Sequence, residues 1–134
     1  MGHREEMLGV IKRAYAARDG GDVEGLVATF HPEGSFNLTG SKSTLELTGL
    51  LQGHPTLRGA FGQLTADFSF EGREFLAELV DGNRAAIHSR AVVRHNPSGT
   101  TVRTEILDLF RLEEGKIVEL IEFADTAQIK AMIS

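Results

Sequence analysis

The stretch that decides the fold is residues 86–124, which read AIHSRAVVRHNPSGTTVRTEILDLFRLEEGKIVELIEFA. Apolar residues recur here with a period close to two, and turn signals at residues 96–99 and 113–115 divide the stretch into three strands. Asp108 lies near the centre, with two apolar residues on each side. Removing a charged carboxylate from water costs several kcal/mol or shifts its pKa. We therefore predict that Asp108 is either paired with a partner or used in chemistry.

The same turn chemistry continues on the N-terminal side of this stretch. Residues 71–72 and 81–83 combine acidic residues with glycine or asparagine, which favours hairpin turns. Together these signals predict four strands near residues 73–80, 84–95, 100–112 and 116–124.

Two helices and a short strand are predicted at the beginning of the chain. The first helix ends at residues 19–21, where two glycines follow an aspartate. Asp22 caps the second helix, which residues 31–34 end because the residue before a proline is pushed out of helical geometry. A short strand follows at residues 35–38. The apolar positions predicted to face the core are Met7, Val10, Ile11, Ala14 and Tyr15 in the first helix and Val23, Leu26, Val27 and Phe30 in the second.

A third helix precedes the strands and a fourth follows them. Thr56 caps the third, and the fourth begins at Asp125 or Thr126. Residues 40–55 have no clear pattern. Helices followed by antiparallel strands predict an α+β fold, with the helices on one face of a curved sheet. The apolar positions predicted in these helices are Leu57, Ala60, Phe61 and Leu64, then Ile129, Met132 and Ile133.

Composition limits the possible functions. The chain has 134 residues and a net charge of −5, with no cysteine and no basic run. These values predict one domain over residues 1–134, and they argue against nucleic acid or an anionic membrane as a partner. No stretch is long and apolar enough for a membrane span or a secretory signal, so we expect a cytoplasmic protein. The five histidines lack metal-ligand spacing and the glycines lack a phosphate-loop pattern, so we expect no metal and no cofactor.

The order of the predicted elements resembles the nuclear-transport-factor-2-like superfamily, in its SnoaL-like or ketosteroid-isomerase-like branch. Residues 21–36, 107–117 and 122–127 carry the resemblance, which covers the chain except residues 40–55. It implies a cone-shaped roll, in which a strongly curved antiparallel sheet wraps around about three N-terminal helices, with a short C-terminal helix. It also implies a deep apolar pocket and a homodimer formed through the outer face of the sheet.

The resemblance also assigns roles to individual positions. Asp108 falls where ketosteroid isomerases place a protonated aspartate that donates a hydrogen bond to the substrate oxyanion. The position of their catalytic base falls on Leu38, and that of their oxyanion tyrosine falls on Ala14. Tyr15 and Asn37 are each one residue away. Because no carboxylate occupies the base position, we predict that the protein is not a true ketosteroid isomerase.

His88 is the candidate partner of Asp108. If residues 96–99 form a type I turn with a glycine bulge, residue 96 opposes residue 100 and His88 lies directly across from Asp108. A His–Asp pair in an apolar cavity is a workable general acid/base. If the turn has two residues, at 98–99, His88 moves to the opposite face of the sheet. If the protein is instead a non-catalytic module, Asp108 is satisfied by Arg90 or by a backbone amide.

Glu122 is predicted on the last strand, and the resemblance implies that it faces the pocket, where it is either a second carboxylate near Asp108 or the partner of an arginine. Two functions remain. The first is a cofactor-independent acid/base enzyme on a small or polycyclic apolar substrate, which needs a pocket of roughly 300 Å³ or more. The second is a non-catalytic dimeric binding or assembly module. Besides the catalytic candidates Asp108 and His88, the predicted substrate-binding residues are Tyr15, Phe36, Asn37, Phe61, Ile106, Phe110, Val118, Leu120 and Glu122.

Overall fold

The computed structural model describes residues 2–134. Its helices pack on one face of a curved, unclosed sheet of six strands, which confirms the predicted α+β class. Three helices precede the long strands and a short one ends the chain. In chain order the elements are α1 (His3–Asp19), α2 (Val23–Ala28), β1 (Phe30–Leu38), β2 (Gly49–Gln52), α3 (His54–Asp67), β3 (Phe68–Asp81), β4 (Arg84–His95), β5 (Thr101–Glu113), β6 (Lys116–Phe123) and α4 (Thr126–Ile133).

The sheet has the strand order β2-β1-β6-β5-β4-β3. Strands β3 to β6 form the predicted antiparallel meander, and β2 pairs antiparallel with β1. The sheet is antiparallel as predicted except for one pair, because β1 and β6 are parallel. Parallel neighbours need a long crossover connection, and here it contains α3 and the rest of the meander. Neither strand's own sequence carries a signal for that direction.

The boundary between α2 and β1 differs from the predicted one. Asp22 does cap α2, by accepting a hydrogen bond from the backbone N–H of Gly25. The helix ends at Ala28, however, and Phe30 begins β1 instead of continuing the helical stripe. Phe30 is buried in both arrangements, so the burial pattern alone cannot separate them. The pairing of β1 with β6 is irregular between Phe30 and Ser35, which accommodates Pro32.

The structure also defines the start of α3 and the segment 40–55, for which the sequence showed no clear pattern. Helix α3 begins at His54 with Gly53 as its N-cap residue, so the predicted cap at Thr56 is wrong. Pro55 occupies the first turn of the helix, where the missing N–H would have no intrahelical partner. Within residues 40–55, the chain forms the short strand β2.

Strand β3 is longer than predicted because residues 71–72 do not form a hairpin turn. The chain continues through Gly72, which has φ +61°, and the pairing with β4 shifts between Glu71 and Glu74. This irregularity is a β-bulge, a local insertion that bends a strand and redirects a side chain. The predicted limits of β4, β5 and β6 are confirmed to within one residue, and Asp125 caps α4.

The two faces of the sheet have different environments. Along β5, Ile106, Asp108 and Phe110 are buried on the inner face, which the helices cover, whereas Leu107 and Leu109 are exposed on the outer face. The main core lies between the inner face and helices α1 to α3. Within residues 2–134, none of the helices is both long and apolar enough to cross a membrane.

Candidate functional site

A cavity of about 100 Å³ lies between the inner face of the sheet and all four helices. It is smaller than the roughly 300 Å³ set as the criterion for an enzyme pocket, and smaller than the engineered cavity of about 150 Å³ that holds benzene. Most of the lining side chains are apolar. The charged ones are Arg18, Arg73, Asp108 and Glu122. The apolar ones include Phe36, Leu38, Phe61, Phe70, Ile106, Phe110, Leu120 and Met132.

Asp108 and Glu122, the acid pair, lie directly opposite each other on β5 and β6. Side chains of such opposed residues are neighbours on one face, with β-carbons about 5 Å apart. Both line the cavity. Asp108 is fully buried, and its Oδ1 accepts no hydrogen bond from an N–H or hydroxyl donor among residues 2–134, whereas the Glu122 carboxyl is in hydrogen-bonding reach of the Asp108 carboxyl. The site therefore contains two carboxyl groups, one of which has an oxygen with no donor.

Tyr15 contacts the acid pair from helix α1. Its hydroxyl donates a 2.5 Å hydrogen bond to Asp108 Oδ2. The phenol ring packs edge-on against Phe75 and Phe110. Tyr15 belongs to the buried stripe of α1, so the same periodicity that builds the core also brings the phenol to the site.

The environment of Asp108 favours its protonated form. Burial raises the pKa of Asp108 well above its usual range, and the charge and hydrogen-bonding capacity of Glu122 raise that pKa further. The hydrogen bond from Tyr15 and the positive charge of Arg73 act in the opposite direction without cancelling the effect. A proton on Asp108 gives this carboxyl group a donor to offer.

Tyr15 is held in its neutral form by the same surroundings. Burial raises the pKa of Tyr15 well above its usual range, and the charge and hydrogen bond of Asp108 add to the effect. Arg73 lowers the pKa of Tyr15 by a smaller amount. Since the chain has one tyrosine and no tryptophan, tyrosine absorbance and fluorescence report on this site alone.

Sequence reasoning missed Arg73, which lines the cavity from β3. Its Nε and Nη2 donate to the two carboxylate oxygens of Asp19, at 2.7 and 2.8 Å, and its Nη1 donates to Ser89 Oγ at 2.9 Å. The guanidinium lies 4.6 Å from the centre of the Tyr15 ring. Burial opposes its charge, but the hydrogen bonds and charge of Asp19 outweigh burial and raise the pKa of Arg73. The sequence feature that could have indicated Arg73 is the preceding Gly72, which was predicted to form a turn but lies in a β-bulge.

Arg18 was also missed as a site residue, because its position in the last turn of α1 also suits the helix dipole. It lines the cavity, and its Nη2 donates to the backbone oxygens of Phe68, at 3.0 Å, and Leu64, at 3.4 Å. Its guanidinium lies 4.6 Å from the centre of the Phe70 ring. Burial lowers the pKa of Arg18, with Glu122 and Asp19 acting against this change.

The predicted pair of His88 and Asp108 does not form. His88 opposes Leu107, and Asp108 opposes Ile87, so neither predicted turn register is correct. The loop has four residues, 96–99, and His95 pairs with Thr100 across it. A shift of one residue places a strand's side chains on the other face. His88 therefore lies on the outer face, where its Nε2 is 2.7 Å from Glu105 Oε1.

Asn37 and Val118 also lie away from the cavity. Asn37 alternates with the buried residues Phe36 and Leu38 and therefore points to the outer face. Val118 falls in an irregularity of the β5–β6 pairing, between Ile117 and Glu119, and does not line the cavity. The resemblance supplied approximate positions for both residues, and a single-residue error changes the face.

The remaining predicted site residues lie together around the cavity, but Arg90 is not a partner of Asp108. The ion-pair partner of Arg90 is Glu74, at 3.5 Å. No group of three or more potential metal ligands exists among residues 2–134. The predicted residues that line the cavity are Tyr15, Phe36, Phe61, Ile106, Asp108, Phe110, Leu120 and Glu122.

Comparisons with solved structures show the same fold in proteins of low sequence identity. An NTF2-like protein from Burkholderia pseudomallei K96243 superimposes with a TM-score of 0.84 at 18% identity, covering 96% of this chain and 98% of that one. An LEH-like epoxide hydrolase from M. tuberculosis has a TM-score of 0.76 at 13% identity, covering 96% and 90%. A Xanthomonas campestris pv. campestris protein provisionally named a polyketide cyclase has a TM-score of 0.77 at 13% identity, covering 98% of both chains.

Sequence comparison supplies the family. No curated protein matches the sequence. The SnoaL-like domain model matches residues 11–120, which include α2 and α3, all six strands except the end of β6, and most of the cavity lining. The chain therefore belongs to the SnoaL-like domain family within the NTF2-like superfamily.

Proposed function

We propose that this protein is a cofactor-independent acid/base enzyme that acts on a small, mostly apolar substrate, of the isomerase, cyclase, dehydratase or hydrolase type. The observation that carries the proposal is Asp108, a fully buried carboxyl group that lines the cavity, accepts a hydrogen bond from Tyr15 and lies beside Glu122. Buried acids with strongly raised pKa values in concave sites are enriched for function. The M. tuberculosis neighbour named an epoxide hydrolase is consistent with such chemistry on this fold.

The acid pair divides the work between a donor and an acceptor. Tyr15 occupies Oδ2 of Asp108 and so leaves Oδ1 to carry the proton and donate it to a substrate oxygen. Glu122 accepts a proton from the carbon next to a carbonyl. The C–H bond breaks toward Glu122 while an O–H bond forms with the proton of Asp108, which gives an enol. The reverse transfers, at the same or a neighbouring carbon, restore both carboxyl groups.

This arrangement differs from that of ketosteroid isomerases. Leu38 lines the cavity at the position that the resemblance gives to their base, so a base must come from elsewhere, and Glu122 is the carboxyl group available. A cavity of about 100 Å³ is below the roughly 300 Å³ expected of an enzyme pocket, so turnover requires the cavity to widen, and this volume favours a small substrate over a polycyclic one. The proposal therefore narrows the earlier expectation to small carbonyl compounds or epoxides.

Proton exchange tests the proposal without knowledge of the natural substrate. Acetone, butanone, cyclopentanone and propylene oxide are incubated with the protein in D₂O, and deuterium uptake or ring opening is followed by NMR. We expect turnover of at least one compound, with a loss of at least about 100-fold in Asp108→Asn and in Glu122→Gln. His88→Ala, which changes an outer-face residue, should keep full activity. Absence of turnover, or turnover that survives Asp108→Asn, contradicts the proposal.

A second function, a dimeric binding or assembly module, is favoured by the outer face of the sheet. One row of mostly apolar residues crosses all six strands, and cross-strand pairs join each member to the next. Contiguous exposed apolar patches often mark protein interfaces. We propose that this outer apolar row forms a homodimer interface, whether or not the protein is also an enzyme. Its members are Leu79, Ala86, Leu109, Ile121, Asn37 and Leu50.

Leu109→Glu is expected to convert the dimer to a monomer, because it places a charge at the centre of the outer apolar row. Sedimentation velocity over a range of concentrations measures the change. Ile133→Glu is the matched control, since Ile133 is similarly exposed, at 39% against 37%, but lies on α4. A wild-type monomer at high concentration, or equal effects of the two substitutions, would refute the interface.

A further inference from the structure

We propose that the ligand of this cavity is a small carboxylic acid, and that Arg18 binds its carboxylate while Tyr15 and Asp108 face a second oxygen of the same molecule. The inference rests on the proposed function for its account of the second oxygen. Its central observation is independent of catalysis: the cavity contains two guanidinium groups with unequal sets of partners.

Arg73 is already neutralised within the protein. Its three nitrogens donate to both carboxylate oxygens of Asp19 and to the Ser89 hydroxyl, and its side chain is 7% exposed. A bidentate Arg–carboxylate pair of this kind is the geometry in which a guanidinium is best satisfied. Arg73 therefore has no need of an anionic ligand.

Arg18 has no corresponding partner. Within residues 2–134 it forms no ion pair, and the acceptors of its hydrogen bonds are the neutral backbone oxygens of Leu64 and Phe68, both bonded to Nη2. Glu122 and Asp19 influence it electrostatically without contacting it. A half-buried guanidinium at a cavity wall gains most from an anion, and its planar fork matches a carboxylate.

The position of Arg18 relative to Tyr15 sets the length of the ligand. The two residues are three positions apart on α1 and thus share one face of the helix, about 4.5 Å apart along its axis. Tyr15 donates to Asp108, so the donor end of the site and the cation are held from helix positions less than one turn apart, and both line the same cavity. A short molecule that carries both a carbonyl oxygen and a carboxylate can engage both at once. Short keto acids are molecules of this kind, and binding one requires the cavity of about 100 Å³ to widen, because that volume is below the roughly 150 Å³ that holds benzene.

Binding of levulinate and of its neutral amide tests the proposal. The two probes share the keto group and the chain length and differ in charge. Affinity is measured by the fluorescence of Tyr15, the single tyrosine, and independently by ligand-observed NMR. We expect the acid to bind at least about 10-fold more tightly than the amide, which corresponds to about 1.4 kcal/mol.

Variants of Arg18 identify the carboxylate contact. Arg18→Gln should reduce the affinity for levulinate to that for the amide and leave the affinity for the amide unchanged, whereas Arg18→Lys should keep part of the preference. Arg13→Gln is the matched control, because Arg13 is an exposed arginine on the same helix. Circular dichroism confirms that each variant is folded. Equal binding of acid and amide by the wild type, binding of neither, or an unchanged preference in Arg18→Gln would overturn the proposal.

The two proposals can fail separately. A preference for the acid that depends on Arg18, without any proton exchange, would retain the ligand class and reject the enzyme. Proton exchange on neutral ketones that needs Asp108 but not Arg18, without a preference for the acid, would retain the enzyme and reject the ligand class.

Discussion

Replacing Asp108 with asparagine is expected to stabilise the protein at neutral pH, although it removes the central group of the site. Burial and Glu122 raise the pKa of Asp108 in the folded state above its unfolded value. The stability gained from the protonated carboxyl is complete below the unfolded pKa and is lost as the pH rises through the folded pKa, at about 1.4 kcal/mol for each unit between the two values. Asparagine has the same shape, carries no charge and still accepts a hydrogen bond from Tyr15.

The gain should therefore depend on pH. Urea unfolding of wild type and Asp108→Asn between about pH 4 and about pH 8 should show an advantage of the variant in free energy of unfolding that grows as the pH rises. Asp81→Asn, which changes an exposed aspartate, should alter stability by no more than about 0.5 kcal/mol at any pH. A variant that is less stable than wild type at neutral pH would show that Asp108 is ionised and usefully paired.

Arg73→Met is expected to cause the largest loss of stability. The substitution keeps an apolar stem but leaves the Asp19 carboxylate without its bidentate partner and the buried Ser89 hydroxyl without its donor. Breaking a buried pair by removing one member costs about 3–5 kcal/mol. Because Asp19 keeps partial contact with water, at 25% exposure, we expect about 2–4 kcal/mol.

Urea denaturation measures this loss, and two further variants locate its origin. Adding Asp19→Asn to Arg73→Met should recover part of the stability, since the unpaired charge is then absent. Arg90→Met removes a more exposed ion pair with Glu74 and should cost about 0.2–1 kcal/mol. If Arg73→Met costs no more than Arg90→Met, the bidentate pair with Asp19 contributes little to the fold.

The sequence was sufficient to predict candidate site residues that are both buried and titratable. Asp108 was identified because an acid in an apolar run must be explained, and Tyr15 because it belongs to a helical stripe. The family resemblance placed Glu122 on the inner face, and the register places it opposite Asp108. Burial of Asp108 and Tyr15 follows from local periodicity, which the chain shows clearly on α1 and β5, whereas the site roles of Tyr15 and Glu122 needed the family's pattern.

The parts that could not be predicted depend on register or on distant contacts. His88 lies on the outer face because the loop has four residues, 96–99, whereas pairing of His88 with Asp108 required residue 96 to oppose residue 100. Arg73 reaches the cavity through a bulge, and a bulge and a turn have similar local sequences. The parallel pairing of β1 with β6 joins segments with no local signal for each other.

That parallel pairing has a consequence for how the molecule folds. Strand β1 lies between β2 and β6, and its partner residues on β6 are more than eighty residues later in the sequence. The hydrogen bond between Tyr15 and Asp108 spans 93 residues. Closing such long loops costs conformational entropy before the stabilising contacts can form, and this slows folding. The acid pair cannot form before β6 has been synthesised, because Glu122 lies on that strand.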